Sequence, residues 1–132
     1  GFDTIYASHT FHEIQQYYPM RMIRDRNYKL IWNLAYQQTF PLGGGAKKFP
    51  EFINKYNLTH LGKRKLEDFL QRPQFELYDM NKDPNEVNNL AYKPEYADLL
   101  KFYKQKLHTF QNNTDDIWNV YQAYDNVNGL IE

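Results

Sequence analysis

Alternating apolar and polar residues on either side of a short turn constrain this chain most. The run is Met20-Arg21-Met22-Ile23-Arg24, then Asp25-Arg26-Asn27, then Tyr28-Lys29-Leu30-Ile31-Trp32-Asn33-Leu34. Successive side chains of a strand point to opposite faces, so a period of two predicts strands, and Asp and Asn supply the turn between them. The expected unit is an antiparallel hairpin from Met20 to Leu34. Tyr28, Leu30, Trp32 and Leu34 share one face, which is expected to meet the core, with Trp32 buried against a helix; Lys29, Ile31 and Asn33 share the other. The run Thr4 to Ser8 and the alternating Phe75-Glu76-Leu77-Tyr78-Asp79 predict further strands.

Between the hairpin and Phe75, the triplet Gly43-Gly44-Gly45 reads as a loop. Phe49, Phe52, Ile53 and Tyr56, then Leu66, Phe69 and Leu70, recur at helical spacing, and Pro73 stops the second short helix. Asp83-Pro84-Asn85-Glu86 reads as a turn. Pro94 opens a helix of about four or five turns in which Tyr96, Leu99, Leu100, Tyr103, Leu107 and Phe110 form one apolar stripe. Asn112-Asn113-Thr114 ends it, and Thr114-Asp115-Asp116 is expected to cap a last short helix carrying Ile117, Trp118, Tyr121 and Tyr124. Strands first and helices later predict a single α+β domain over residues 1–132, with the long helix laid across one sheet face.

The 16 basic and 16 acidic side chains cancel, which argues against a phosphate-neutralising surface and hence against nucleic acid as partner. No apolar run approaches the roughly 20 residues of a membrane-spanning helix. The absence of Cys removes disulfides, thiolate nucleophiles and Cys-based zinc sites. The first residues, beginning Gly1-Phe2-Asp3, read like the middle of a fold, so an excised piece of a longer protein is expected. The 12 Tyr, 9 Phe and 2 Trp supply rings either for the core or for a polar ligand such as a sugar.

The densest polar cluster is Ser8-His9-Thr10-Phe11-His12-Glu13. His9, His12 and Glu13 are candidates for acid/base work or for hydrogen bonds to a polar ligand, because His titrates near neutrality and a carboxylate accepts hydroxyl bonds. The alternative is a loop whose histidines pack against neighbouring tyrosines. In Tyr17-Tyr18-Pro19-Met20-Arg21, the Arg21 fork could hold a carboxylate or sulfate bidentately, or pair with Glu13 and orient it; an Arg inside a strand pattern favours the internal pairing. The Asp79 to Glu86 loop lacks the Gly and the terminal Glu of an EF-hand, and reads as a connection held by side-chain-to-backbone bonds. Asn57-Leu58-Thr59 and Asn112-Asn113-Thr114 match the N-glycosylation pattern, which carries little without a secretory context.

The stretch Phe75-Glu76-Leu77-Tyr78-Asp79-Met80-Asn81-Lys82-Asp83-Pro84-Asn85-Glu86-Val87-Asn88-Asn89-Leu90-Ala91 resembles the end of type I sulfatases, and Met20-Arg21 with Tyr28-Lys29-Leu30-Ile31 resembles their preceding hairpin. Ser8 to Glu13, Tyr17 to Arg21, Asn33-Leu34, Phe40-Pro41 and Asp115-Asp116-Ile117-Trp118 are most similar to the heparan N-sulfatase branch, whereas Leu42 to Arg72 departs from it. The resemblance implies a C-terminal subdomain of the alkaline-phosphatase-like fold, with a four-stranded antiparallel sheet and a long helix. It also implies a parent hydrolase that removes sulfate from N-sulfoglucosamine of heparan-type glycans. The alternatives are a non-catalytic glycan-binding or interaction module, or the tail of an O-sulfatase.

The family reaction uses a formylglycine, made from Cys or Ser in a C/S-x-P-x-R motif, and a calcium ion, both in the large domain. Here there is no Cys, and Ser8 is followed by His9-Thr10. The chain alone is therefore expected to be inactive, with no metal ligands of its own and with the catalytic domain and a sulfated glucosamine glycan as partners. By the same resemblance, His12 and Glu13, with His9, are the expected substrate contacts, and Arg21 and Tyr18 the supporting residues. It further implies an exported protein, periplasmic or lysosomal in type, and self-association of the isolated piece through the face that met the catalytic domain.

Overall fold

The computed structural model describes residues 3–11, 17–40 and 49–116. A four-stranded antiparallel sheet is built from β1 (Ile5–Phe11), β2 (Tyr17–Arg24), β3 (Tyr28–Asn33) and β6 (Phe75–Asp79), in that spatial order. Between β3 and β6 the chain forms α1 (Phe49–Tyr56), a two-stranded ribbon of β4 (His60–Leu61) and β5 (Arg64–Lys65), and α2 (Leu66–Leu70). A single 3-10 turn at Pro94–Tyr96 leads into α3 (Ala97–Asn113), whose 17 residues run across one face of the sheet.

The expected hairpin is the centre of the sheet. Ile23 pairs with Leu30 and Arg21 with Trp32, and on the far side Leu30 pairs with Leu77 and Trp32 with Phe75. Direct partners share a face, so Ile23, Leu30, Trp32 and Leu77 form a continuous apolar layer. Tyr103 and Leu107 of α3 close over it, with Leu34, Leu90 and Ala91 at its border and Leu99 and Leu100 packed against it. On α3, Tyr103, Leu107 and Gln111 are buried at intervals of four residues, the stripe that a 3.6-residue period turns toward one side. Phe110, expected in that stripe, is instead 38% exposed and stacks flat on Tyr6 of the edge strand at 3.9 Å.

The β2–β3 turn is tied to the helix by one carboxylate. Asp25 Oδ1 accepts the backbone N–H groups of Asn27 and Tyr28, while the Tyr103 hydroxyl donates to Oδ2 at 2.5 Å. Burial pushes the Asp25 pKa up, but the bonds from Tyr103, Tyr28 and Asn27 and the Lys106 charge outweigh it and hold the carboxyl below its ordinary 3.8. Because the folded value is the lower one, the carboxylate stabilises the fold at pH values above the unfolded pKa. That contribution is lost as pH falls through the depressed folded value. Stability measured in urea is expected to decline on acidification below about pH 4, and Asp25→Asn to flatten that limb; an identical acid limb in the variant would discard this assignment.

The Asp79 to Ala91 connection is held as its composition suggests. Asp79 Oδ1 accepts the N–H groups of Asn81 and Lys82, Asp83 those of Val87 and Asn88, and Asn89 Oδ1 those of Leu77 and Ala91. Thr114, expected to start a further helix, closes α3: its hydroxyl donates to the Phe110 carbonyl. The proposed last helix, from Ile117 onward, lies outside the described residues.

Candidate functional site

Cross-strand pairing decides where the candidate residues go. Ser8 pairs with Arg21 and His9 with Met20, so Arg21 points to the helix side of the sheet and His9 to the opposite side. Tyr18, three residues before Arg21, also falls on the side of His9 and Met20. The two residues expected to support one loop therefore stand on opposite faces of β2.

On the helix side, Arg21 meets the end of α3. Its Nε donates to Asp116 Oδ2 at 2.5 Å and its Nη2 to Oδ1 at 2.8 Å, a two-pronged pair with side chains only 8% and 10% exposed. Nη1 donates to the backbone carbonyl of Met20 at 2.8 Å and reaches that of His9 at 3.5 Å. Gln111 Nε2 adds a bond to Asp116 Oδ2. Among the described residues the carboxylate that takes the guanidinium fork is Asp116, whereas the expected partner, Glu13, lies outside them. The spacing of Arg21 and Asp116 gave no clue, because 95 positions separate them. Beside the pair lies a cavity of about 340 Å³ walled by Tyr6, Ser8, Leu107, Phe110 and Thr114 as well. With the guanidinium neutralised by Asp116, its walls offer hydroxyls and ring edges, which suit an uncharged hydroxylated group better than an anion.

The opposite face carries a second polar centre that the alternation did not disclose. Glu76 is fully buried; its Oε1 accepts from the Tyr78 hydroxyl at 2.6 Å and from Arg64 Nη2 at 3.0 Å, and its Oε2 from Asn33 Nδ2 at 2.7 Å. Burial, reinforced by the Glu76 charge and hydrogen bond, raises the Tyr78 pKa well above that of a free phenol, so Tyr78 remains a donor. Arg64, Asp68, Glu76, Tyr78 and Asn89 wall a smaller cavity of about 200 Å³. Nearby, Arg72 stacks on the Phe40 ring at 3.7 Å and on Phe69 at 4.8 Å, and Phe40 packs edge-on against Tyr18.

Of the residues singled out in the sequence, His9 is half-buried on the Met20 face, Tyr18 is completely buried, and Arg21 is buried against Asp116. His12 and Glu13 lie outside the described residues. Among the described residues no group of three His, Asp or Glu side chains converges in a way that could hold a metal ion. Their carboxylates point elsewhere: Glu76 and Asp116 onto guanidinium groups, Asp79 and Asp83 onto backbone amides. These residues do not fit a calcium site, and Ser8, the chain's single serine, stands outside any x-Pro-x-Arg context that formylglycine formation would need.

A sheet of this order, crossed by one long helix, is the fold of a C-terminal subdomain of alkaline-phosphatase-like sulfatases, and sequence likeness to curated sulfatases makes this chain a sulfatase C-terminal subdomain. The particular likeness is to N-sulphoglucosamine sulphohydrolase of Homo sapiens, 33% identical over 120 residues that make up 87% of this chain. An ulvan-active sulfatase of Formosa agariphila is 32% identical over 90 residues, 68% of the chain. The chain spans 24% and 16% of the lengths of these relatives. No protein-family model matches it. Among solved structures, a 2-O GAG sulfatase superposes with a TM-score of 0.57 over 89% of this chain and 18% of its own, at 20% identity, a likeness of fold.

Proposed function

We propose that this chain is the substrate-side subdomain of a sulfatase that removes sulfate from N-sulfoglucosamine units of heparan-type glycans. The observation that carries this reading is the 33% identity with N-sulphoglucosamine sulphohydrolase, maintained over 120 residues. In this role the chain binds and orients sugar, and a catalytic domain joined to it supplies the nucleophile and metal. His12 and Glu13 contact the sugar hydroxyls, with His9 beside them on β1. Arg21, clamped by Asp116, fixes the β1 end through the His9 and Met20 carbonyls. The enzyme works in an exported compartment, where such glycans are degraded.

The test is sulfate release by the gene product extended upstream of Gly1, compared with this chain alone. The extended protein should release sulfate from N-sulfoglucosamine and the 132-residue chain should release none, having no nucleophile of the required kind. Release from a 2-O-sulfated sugar but not from N-sulfoglucosamine would replace this reading with an O-sulfatase. Release by the chain alone, or by neither protein on any sulfated sugar, would overturn it.

A further inference from the structure

The cavity of about 340 Å³ between β1 and the end of α3 has walls of three kinds. One is aromatic. The Tyr6 and Phe110 rings lie parallel within 4°, their centroids 3.9 Å apart, so each keeps a face and its edges for another neighbour, and Phe110 is 38% exposed. Leu107, almost fully buried, continues this apolar wall. The second is hydroxylic. Ser8 makes no side-chain hydrogen bond among the described residues, so its hydroxyl is able to donate and to accept. Thr114 gives its one hydroxyl proton to the Phe110 carbonyl at 2.8 Å and keeps lone pairs as acceptors. The third is the pair of Arg21 and Asp116, whose opposite charges close on each other through two bonds.

These walls discriminate among ligands. An anion needs the guanidinium fork, which Asp116 occupies, and a cation needs the carboxylate, which Arg21 and Gln111 occupy. A hydrocarbon leaves Ser8 and Thr114 facing it without partners. A pyranose ring suits all three walls. Its C–H face packs against aromatic and aliphatic side chains, its hydroxyls donate and accept at once, and it carries no charge to compete with the ion pair. The volume lies at the small end of the range for ligand pockets, about 300 to 1,000 Å³, which leaves room for one ring and not for an extended chain.

We propose that the cavity walled by Tyr6, Ser8, Phe110 and Thr114 binds one uncharged pyranose unit of a glycan. The inference needs a glycan as ligand and does not need the sulfate chemistry proposed above. The C–H face of the ring lies on Phe110 and Leu107, while Ser8 and Thr114 take its hydroxyls. Arg21 and Asp116 form a rigid, neutral floor that ties β1 to the end of α3 and so sets the width of the cavity.

The experiment titrates the 132-residue chain, and then the gene product extended upstream of Gly1, with N-acetylglucosamine, with inorganic sulfate and with cyclohexanol, following the Thr114 methyl resonance by NMR. N-acetylglucosamine should shift that resonance in both proteins, and the other two probes should not. Phe110→Ala should weaken the sugar about tenfold through lost apolar contact, and Ser8→Ala about fivefold through one lost hydrogen bond. Ser8→Phe places a ring in the cavity from an exposed strand position. It should abolish binding while the thermal midpoint stays near that of the wild type, which separates a blocked site from a damaged fold. Unchanged sugar affinity in Phe110→Ala and Ser8→Phe would overturn the site. Sulfate shifting the same resonance at lower concentration than the sugar would overturn it too and make the cavity an anion site, and equal binding of cyclohexanol would reduce it to an apolar void. A catalytic domain that covers the Tyr6 and Phe110 rings, so that the extended protein no longer responds to N-acetylglucosamine, would likewise overturn it. Binding that depends on Ser8 and Phe110, together with an extended protein inactive on N-sulfoglucosamine, would support the site and remove only the substrate assigned above.

Discussion

Replacing Trp32 by Ala is expected to cost about 3 to 5 kcal/mol of folding stability, the range for a large aromatic deleted from a packed core. Trp32 is 4% exposed at the centre of β3, with Arg21 and Phe75 as its cross-strand partners and the Phe75 ring stacked beside it at 6.3 Å. Tyr103 and Leu107 of α3 belong to the same core. The hole left by the indole is therefore bounded by strand backbones on one side and a helix on the other, and neither can close over it without disrupting the ladder. Since a domain of this size has roughly 5 to 15 kcal/mol in hand, the variant should lose about a fifth or more of its stability. Urea unfolding would measure this as a lower midpoint with an unchanged slope. Phe102→Ala, on the same helix but 50% exposed, is the control and should cost under about 1 kcal/mol. Equal costs for the two variants would mean that the indole does not sit in the core.

The hairpin that holds Trp32 was legible because alternation acts residue by residue and needs no knowledge of the rest of the chain. The helix Ala97–Asn113 was legible for the same reason at a different period. Short elements carry no such signal. The ribbon β4–β5 has two residues per strand, too few for a period, and its one local clue is Gly62 at φ +60, the left-handed geometry that a tight turn demands. Burial of polar residues was less legible still. Asn33 reads as lying on the face away from the core and Glu76 as one position of an alternating strand, yet both are completely buried: Glu76 accepts from Arg64, Tyr78 and Asn33, and Asn33 Nδ2 also donates to the Pro73 carbonyl. Whether a carboxylate can be buried depends on partners that the fold brings in from elsewhere. The same holds for the candidate site. The Tyr17–Arg21 segment is a candidate because it sets an arginine at the start of the hairpin, but its partners, Asp116 for Arg21 and Phe40 for Tyr18, are set by tertiary packing.

The pair of Arg21 and Asp116 makes the second large prediction. Both side chains are about nine-tenths removed from solvent and joined by two bonds, so removing either leaves a buried charge without its counter-ion. Arg21→Ala and Asp116→Ala should each destabilise the fold by about 3 to 5 kcal/mol. The double variant should lose less than the sum of the two, because once one charge is gone the other is a liability, and a coupling of up to about 3 kcal/mol is expected between groups in direct contact. Arg21→Lys keeps the charge but loses the fork and should fall between wild type and Arg21→Ala. Since the pair is shielded from water, added salt should leave the coupling nearly intact, whereas an exposed pair would be screened. A double-mutant cycle by urea unfolding, run at low and high salt, checks all of this, and strictly additive losses would show the two residues to be independent. The same variants bear on function. If Arg21 acts through the backbone carbonyls of Met20 and His9, as its bonds indicate, its loss lowers stability and sugar affinity together, and Asp116→Ala reproduces both effects although Asp116 is far away in sequence. Were Arg21 itself to hold the sugar's sulfate, Asp116→Ala would release a competitor and strengthen anion binding. The direction of the change in sulfate affinity on removing Asp116 therefore decides whether this arginine positions the strand end or binds the substrate.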